Sequence, residues 1–325
     1  MSNPGSPFIC AYTLDRRGGG REASAEDVKA WTPEHGLLWV HLDMLDAAAQ
    51  EWIEARDDIA DVTREALMAL ETRPRAVSSD RGLLLVLRGV NMNPGSDPDD
   101  MVAIRIWLEP DRIVTTRRRK LLSIQDMRDA IESGNGPGTP GGFVALLVER
   151  LADRIGKVVN DIEEAIDLAE EEADSGDVAE TRAKISAIRR QTASIRRYLA
   201  PQRDALDRLY RQPGTLFSDT EAHELREESD RITRYLEDLD LARERAIVLQ
   251  EELLARMAQE QNSRMYLLSV VAAVFLPLTF VTGLLGMNVA GLPGTQDPSA
   301  FAIALVIMAA LGGALVVLFR WMKWL

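Results

Sequence analysis

Two long uncharged stretches near the C-terminal end constrain the fold of this 325-residue chain more than any other feature. Residues 267–287 form a run of 21 residues without a charge, and residues 300–319 form a second run of 20. A helix rises about 1.5 Å per residue, so each run covers roughly 30 Å, which is the thickness of the hydrocarbon core of a bilayer. A buried helical hairpin is the alternative, but core helices rarely sustain two such runs in succession. We therefore predict an integral membrane protein with two transmembrane helices.

The residues that flank these runs predict an orientation. Arg264 precedes the first run, and Arg320 and Lys323 follow the second. The connecting residues 289–299 contain one acid and no Lys or Arg. The positive-inside rule then places both termini in the cytoplasm. Residues 1–15 lack the charged and apolar regions of a signal peptide, so everything before the first span is expected to stay in the cytoplasm.

Composition excludes several classes of function. The net charge of −13 argues against a nucleic-acid partner, which needs clustered Lys and Arg to neutralise phosphates. The single cysteine, Cys10, excludes an intrachain disulfide and a Cys-rich metal site. The three histidines, His35, His41 and His223, are far apart in sequence, and we interpret each as an ordinary surface or core residue. The sequence has no Walker loop, nucleophile elbow or zinc-ligand spacing, so an enzyme is not expected.

The N-terminal part mixes strand and helix signals and predicts a cytosolic α/β domain over residues 1–132. The predicted strands are short and rich in apolar or β-branched residues, and they comprise residues 8–12, 37–41, 83–90, 102–108 and 112–116. Helices are predicted at residues 24–31, 47–56 and 62–70.

Residues 133–142 contain five glycines and two prolines, which predicts a linker, and residues 133–217 are interpreted as a cytosolic helical hairpin region. Residues 161–177 contain nine acids and no base, and we expect this tip to stay solvated. The basic residues 117–120 and the acids of the turn at residues 97–100 are also interpreted as solvated. Cation binding is the alternative interpretation for the acids of residues 161–177 and for those of residues 97–100.

One uninterrupted helix is predicted to run from the cytosol into the membrane, because Pro277 is the only Pro or Gly between Thr220 and Gly283. The predicted segments are a stalk helix at residues 218–266, a pore-lining transmembrane helix at 267–288, an outer loop at 289–299, a second transmembrane helix at 300–320 and a basic-aromatic cytosolic tail at 321–325. Residues 218–262 contain thirteen acids and six arginines, so a ring of such stalks would raise the local cation concentration.

Two helices per chain cannot enclose a pore, so transport would require several subunits around an axis. The first span carries small or mildly polar residues at helical spacing, among them Ser269, Ala272 and Gly283. Such a stripe indicates either a pore lining or helix–helix packing, where small residues also collect. The second span is interpreted as an outer, lipid-facing helix.

The end of the first span carries the most specific motif, Gly286-Met287-Asn288. At the outer end of the penultimate helix of a two-span protein, this triplet resembles the CorA family of divalent-cation transporters. The acidic stalk and the basic-aromatic ending strengthen the resemblance, which covers nearly the whole chain. The Phe-Leu-Pro-Leu-Thr-Phe sequence at residues 275–280, the Gly-Leu-Pro-Gly loop at residues 291–294 and residues 87–95 resemble the ZntB zinc-transporter branch of that family. Ala290 departs from the glycine that is common in that branch.

The resemblance implies a funnel-shaped homopentamer in a bacterial-type inner membrane that transports divalent cations. It implies zinc as the ion, with a channel-like magnesium, cobalt or nickel transporter as the alternative. A membrane-anchored structural or signalling protein is the alternative from another class. The spans contain no carboxylate or histidine, so proton coupling stays open.

The resemblance also implies which residues form the pathway. Gly286, Met287 and Asn288 would form an outer selectivity ring. The pore-lining residues would be Thr279, Leu276, Leu268, Met265 and Asn262. Tight zinc sites use Cys, His and carboxylates, which both spans lack, so we expect no tight metal site and only weak contact of a hydrated ion with Asn288. The expected partners are other copies of this chain, divalent cations as substrate and the bilayer, with no tightly bound cofactor.

Overall fold

The computed structural model describes residues 6–175, 178–287 and 298–322. The chain divides into two compact units, Met1–Gln250 and Glu251–Leu325.

The first unit is built on seven strands. Their bounds are β1 Phe8–Leu14, β2 Gly20–Glu22, β3 Leu37–Asp43, β4 Arg75–Ser79, β5 Gly82–Gly89, β6 Val102–Leu108 and β7 Arg112–Arg117. They form one sheet in the order β2-β1-β3-β7-β6-β5-β4. Strands β3 and β7 pair in parallel, and the other neighbours pair antiparallel. Six of the seven residues of β3 are buried, as expected for a strand in the middle of a sheet that is covered on both faces.

Eight α-helices and a short 3₁₀ helix, Pro33–His35, complete the described part of the chain. Their bounds are α1 Ala25–Ala30, α2 Ala47–Glu54, α3 Asp61–Met68, α4 Leu122–Glu132, α5 Pro140–Ser175, α6 Val178–Arg211, α7 Asp219–Leu285 and α8 Ala300–Trp321. Pro140 begins α5, where its missing N–H costs nothing because the first turn of a helix has free donors anyway.

Helices cover both faces of the sheet. On one face, Val28 of α1, Ile53 of α2 and Leu67 of α3 pack with Val40 of β3 in a single buried cluster. Strand residues alternate between faces, so the neighbouring Trp39 points to the other side, where its ring lies 5.1 Å from that of Phe143 in α5. Both faces of the sheet therefore bury apolar side chains against helices.

The predicted α/β fold with a long stalk helix and two apolar C-terminal helices is confirmed, with differences in detail. All five predicted strands and all three predicted N-terminal helices form, each within two residues of its predicted bounds. The prediction missed β2 and β4, which are the two edge strands and contain few buried residues. It also missed α4, and the predicted linker at residues 133–142 is shorter because α5 already begins at Pro140.

The described acids of the run at residues 161–177 are all partly or fully exposed, as predicted, and some of them also pair with bases of neighbouring helices. Arg245 of α7 lies 2.6 Å from carboxylate oxygens of both Asp167 and Glu170 in α5. Lys184 of α6 lies 2.7 Å from Glu172. Neighbouring helices therefore supply the bases that the run itself lacks, although such partly exposed pairs contribute little to stability. Residues 176 and 177 lie outside the described residues.

Within the described residues, two helices are long and apolar enough to cross a membrane, α7 and α8. The stalk and the first apolar run belong to the same 67-residue helix, α7, with Pro277 inside it. This helix ends at Leu285, three residues before the predicted end of the span, so Gly286 and Met287 lie beyond it. Residues 288–297 and 323–325 lie outside the described residues.

Candidate functional site

The five residues predicted to line a pathway share one face of α7. Each residue of an α-helix turns by about 100°, which brings these five positions within roughly a third of the circumference. All five side chains are exposed, and they are Asn262, Met265, Leu268, Leu276 and Thr279. Leu268 and Leu276 are each 68% exposed, and other apolar residues of α7, such as Leu267 and Phe280, are also exposed. We call these five residues the α7 stripe.

Helix α8 packs against the other side of α7. A Cβ built on Gly312 of α8 would lie 3.8 Å from the Cδ1 atom of Leu278, and Val270 on the same side of α7 is buried. The least exposed residues of α8 recur every three or four positions and form one face, namely Ala300, Ala304, Met308, Leu311, Gly312, Leu315 and Phe319. Contact with α8 therefore does not explain the α7 stripe, and the stripe is left for another subunit, lipid or water.

Two hydroxyl groups lie beside the stripe residues Met265 and Thr279. The Ser269 hydroxyl donates to the carbonyl of Met265 and the Thr282 hydroxyl donates to the carbonyl of Thr279, both at 2.9 Å. Each hydroxyl oxygen therefore keeps lone pairs free to accept from water. Within the described residues, no three His, Cys, Asp or Glu side chains gather in a way that could hold a metal ion.

The predicted selectivity ring lies partly within the described residues. The Gly286 N–H donates to the carbonyl of Thr282 at 2.9 Å and so closes the last turn of α7. Met287 follows with its side chain exposed. Asn288, the third residue of the ring, lies outside the described residues.

His41 of β3 and Cys10 of β1 are core residues of the sheet. His41 is fully buried, with Nδ1 2.8 Å from Oγ1 of Thr115, and burial lowers its pKa to about 3. Cys10 is also buried, and burial raises the pKa of its thiol to about 12. Both side chains are therefore neutral at pH 7 and unreactive.

The sequence analysis missed a second feature, a cavity of about 910 Å³ in the first unit. We call it the arginine cavity, because its lining includes two acids, Glu71 and Asp100, and seven arginines, Arg73, Arg75, Arg88, Arg105, Arg118, Arg119 and Arg197. The basic residues 117–120 are thus not simply solvated, since two of them line this cavity, and Asp100 of the acidic turn pairs with Arg119. The sequence contained one sign of this cavity, namely Arg105, a charged residue inside the apolar strand Val-Ala-Ile-Arg-Ile-Trp-Leu.

Comparisons with known proteins agree with this architecture. The sequence profile of the family described as CorA-like Mg²⁺ transporter protein matches residues 34–321. The divalent cation transporter CmaX of Pseudomonas aeruginosa is 36% identical over 98% of this chain and 97% of its own length. The zinc transport protein ZntB of Pectobacterium atrosepticum is 34% identical over the same shares.

A solved structure of full-length CmaX matches with a TM-score of 0.87 and covers 100% of both chains at 36% identity. The matching family and both relatives are transporters. This confirms the predictions of a metal-ion transporter and of a protein that is not an enzyme. Since the profile covers most of the chain and the relatives align over nearly all of it, this chain belongs to the CorA family of divalent-cation transporters.

Proposed function

We propose that this chain transports zinc through the central pore of a homopentamer, with the α7 stripe lining the pore. The observation that carries the proposal is the orientation of α7, whose stripe is exposed while α8 packs on the opposite side. Two spans per chain cannot enclose a pore, so several copies must contribute α7 to a shared axis. Helix α8 then lies outside, toward lipid.

The outer end of the pore would select the ion through oxygen contacts. A hard divalent cation loses its water shell reluctantly, so a ring of Asn288 carboxamides can bind the hydrated ion without stripping it. Gly286 and Met287 would complete this ring. No carboxylate or imidazole stands in the described spans to hold zinc tightly, which favours passage over storage.

Farther along the stripe, apolar residues would control flow. Met265 and Leu268 present exposed apolar side chains toward the proposed axis. A ring of such side chains can exclude water when the pore is narrow and admit it when the pore widens. These residues are therefore our candidates for the gate.

The cytosolic part of α7 supports an assembly with an acidic interior. Glu237 and Glu244 lie on one exposed face of α7, and the exposed apolar residues Leu241 and Val248 share that face. Spacings of three and four residues place these four positions one above another. In a ring of copies, the glutamates would concentrate cations and the apolar residues would bury surface between neighbours.

The positive charges flanking the spans support an inner-membrane orientation with both termini in the cytoplasm. Arg264, at the cytosolic end of the first span, lies 3.6 Å from Glu260 one turn earlier. Trp321, at the end of α8, is 82% exposed, as suits an aromatic residue at a membrane interface.

Zinc is favoured by the resemblance of residues 275–280 and 291–294 to the ZntB branch, together with 34% identity to a zinc transport protein. Magnesium is the second candidate, because the family profile is described by Mg²⁺ transport. Recognition of a hydrated ion leaves little trace in residue type, so the choice must be measured.

The proposal is tested by reconstituting the full-length protein in liposomes that contain a metal-sensitive dye. We expect saturable zinc uptake that exceeds magnesium uptake and that increases with an imposed pH gradient. Magnesium uptake that exceeds zinc uptake and is independent of the gradient would assign the channel-like magnesium function instead. Protein-free liposomes are the control, and an absence of flux for both ions would contradict transport itself.

A further inference from the structure

The arginine cavity concentrates positive charge in a chain whose net charge is −13. Its walls come from the segment that follows α3, from β4, β5 and β6, from the residues after β7 and from α6. All of these elements belong to the first unit. A volume of about 910 Å³ is within the range of small-molecule sites.

Arg105 of β6 is the most deeply buried of the lining arginines, at 1% exposure. Its Nη2 atom donates to the carbonyl of Ala69, whereas Nε and Nη1 have no hydrogen-bond partner. Burial and the nearby charges of Arg88 and Arg118 lower the pKa of Arg105 to about 10. A buried guanidinium with no paired acid among the described residues is costly unless an anion in the adjoining cavity offsets its charge.

Arg88 of β5 is held in place by neutral groups. Its Nη1 and Nη2 atoms donate to the carbonyls of Met101 and Thr72, each at 2.8 Å. Its guanidinium carbon lies 3.9 Å from the ring centre of Tyr198 in α6. These contacts fix the guanidinium without neutralising it, so the charge remains available to a ligand.

The mouth of the cavity is also positively charged. Among the residues that the structure describes, four exposed lining arginines form no ion pair, namely Arg73, Arg75, Arg118 and Arg197. Only Arg119 is matched by an acid of the lining, Asp100. Like charges repel more strongly in a partly desolvated cavity than in water, so an anion that contacts several of these arginines relieves repulsion.

Phosphate groups fit this arrangement better than single-charge ions. A phosphate offers several oxygens to which planar guanidinium groups donate in pairs, and linked phosphates place several charges within one cavity. We propose that the arginine cavity binds a small anion with two or more linked phosphate groups, such as inorganic pyrophosphate or a nucleoside diphosphate. This inference does not depend on the transported ion.

Isothermal titration calorimetry of the full-length protein in detergent tests the proposal, with pyrophosphate as the probe and no divalent cation present. We expect saturable binding of about one pyrophosphate per chain. Arg118→Gln and Arg197→Gln should each raise the Kd by about tenfold, since each removes one charge-assisted contact at an exposed position. The matched control is Arg203→Gln on the same helix as Arg197. Arg203 is outside the cavity and pairs with the adjacent Asp204, so this variant should bind like the wild type.

Comparison of anions at constant ionic strength identifies the recognised group. Equal affinity for pyrophosphate and ADP would support recognition of the linked phosphates, and tighter binding of ADP would support a nucleoside diphosphate. Orthophosphate or chloride binding as tightly as pyrophosphate would overturn the proposal. So would an absence of saturable binding, or an equal effect of Arg203→Gln and Arg197→Gln.

Discussion

Replacing Asn288 with alanine is expected to lower divalent-cation uptake by about tenfold or more, because each lost carboxamide contact is worth about 1 kcal/mol or more and a ring loses several together. The residue follows Gly286 and Met287 at the end of α7, where the proposed selectivity ring lies. The readout is the initial rate of zinc uptake into liposomes that contain equal amounts of wild-type and variant protein.

Gln259→Ala is the matched control for this substitution. It removes the same carboxamide group from an exposed position of α7 that lies outside the α7 stripe. This variant should transport at the wild-type rate. Size-exclusion chromatography must show the same oligomer for all three proteins, and an Asn288→Ala protein that transports zinc as fast as the wild type would exclude the proposed ring.

Replacing Trp39 with alanine is expected to destabilise the first unit by about 3–5 kcal/mol. Trp39 is completely buried in β3, and its Nε1 atom donates to Oγ1 of Thr115 at 2.9 Å. Its ring stacks on Tyr12, with centroids 5.8 Å apart, and contacts Phe143 of α5. The substitution would leave a cavity between the sheet and α5 and would remove one hydrogen bond from the Thr115 hydroxyl, which keeps its contacts with His41 and with the carbonyl of Val40.

Thermal unfolding of the full-length protein in detergent, at one scan rate, measures this effect. A loss of that size should lower the melting temperature by about 10 °C in a unit of this length. Trp39→Phe keeps an aromatic ring but removes the hydrogen bond, so its shift should be smaller. Val62→Ala, at a position that is 76% exposed, should change the temperature by no more than about 2 °C. If the Trp39→Ala protein had the same melting temperature as the Val62→Ala protein, this account of the core would be contradicted.

The sequence was informative wherever structure follows from local pattern. The apolar runs identified both membrane helices because a lipid environment requires length and the absence of charge, which are visible residue by residue. The strands of the sheet centre were predicted for a similar reason, since β3 and β6 are almost wholly apolar. The edge strand β2 consists of Gly-Arg-Glu, which carries no such pattern, and it forms because β1 offers it free hydrogen-bonding groups.

The two candidate sites also differ in how far a local sequence pattern could predict them. Helical spacing alone predicted that the five stripe residues share a face of α7, but not which face α8 would cover, because that depends on Gly312 meeting Leu278. The arginine cavity joins residues as far apart in sequence as Arg73 and Arg197. Their proximity depends on how α6 packs against the sheet, so no local pattern could have predicted it.

The central claim, that the α7 stripe lines the conduction path, is tested most directly by cysteine accessibility. The native protein supplies a silent background, because its only cysteine, Cys10, is buried and its thiol pKa is raised to about 12. Leu276→Cys and Leu278→Cys form a matched pair on opposite sides of α7, since two positions along a helix differ by about 200°. Both proteins would be treated with a charged, thiol-specific methanethiosulfonate reagent.

We predict that the reagent lowers zinc uptake of Leu276→Cys by about tenfold or more, because it places bulk and positive charge in the path of a cation. Leu278→Cys, which faces α8, should keep its uptake after the same treatment, as should the wild type. Inhibition of Leu278→Cys with no effect on Leu276→Cys, or equal inhibition of both, would show that the α7 stripe does not line the pathway.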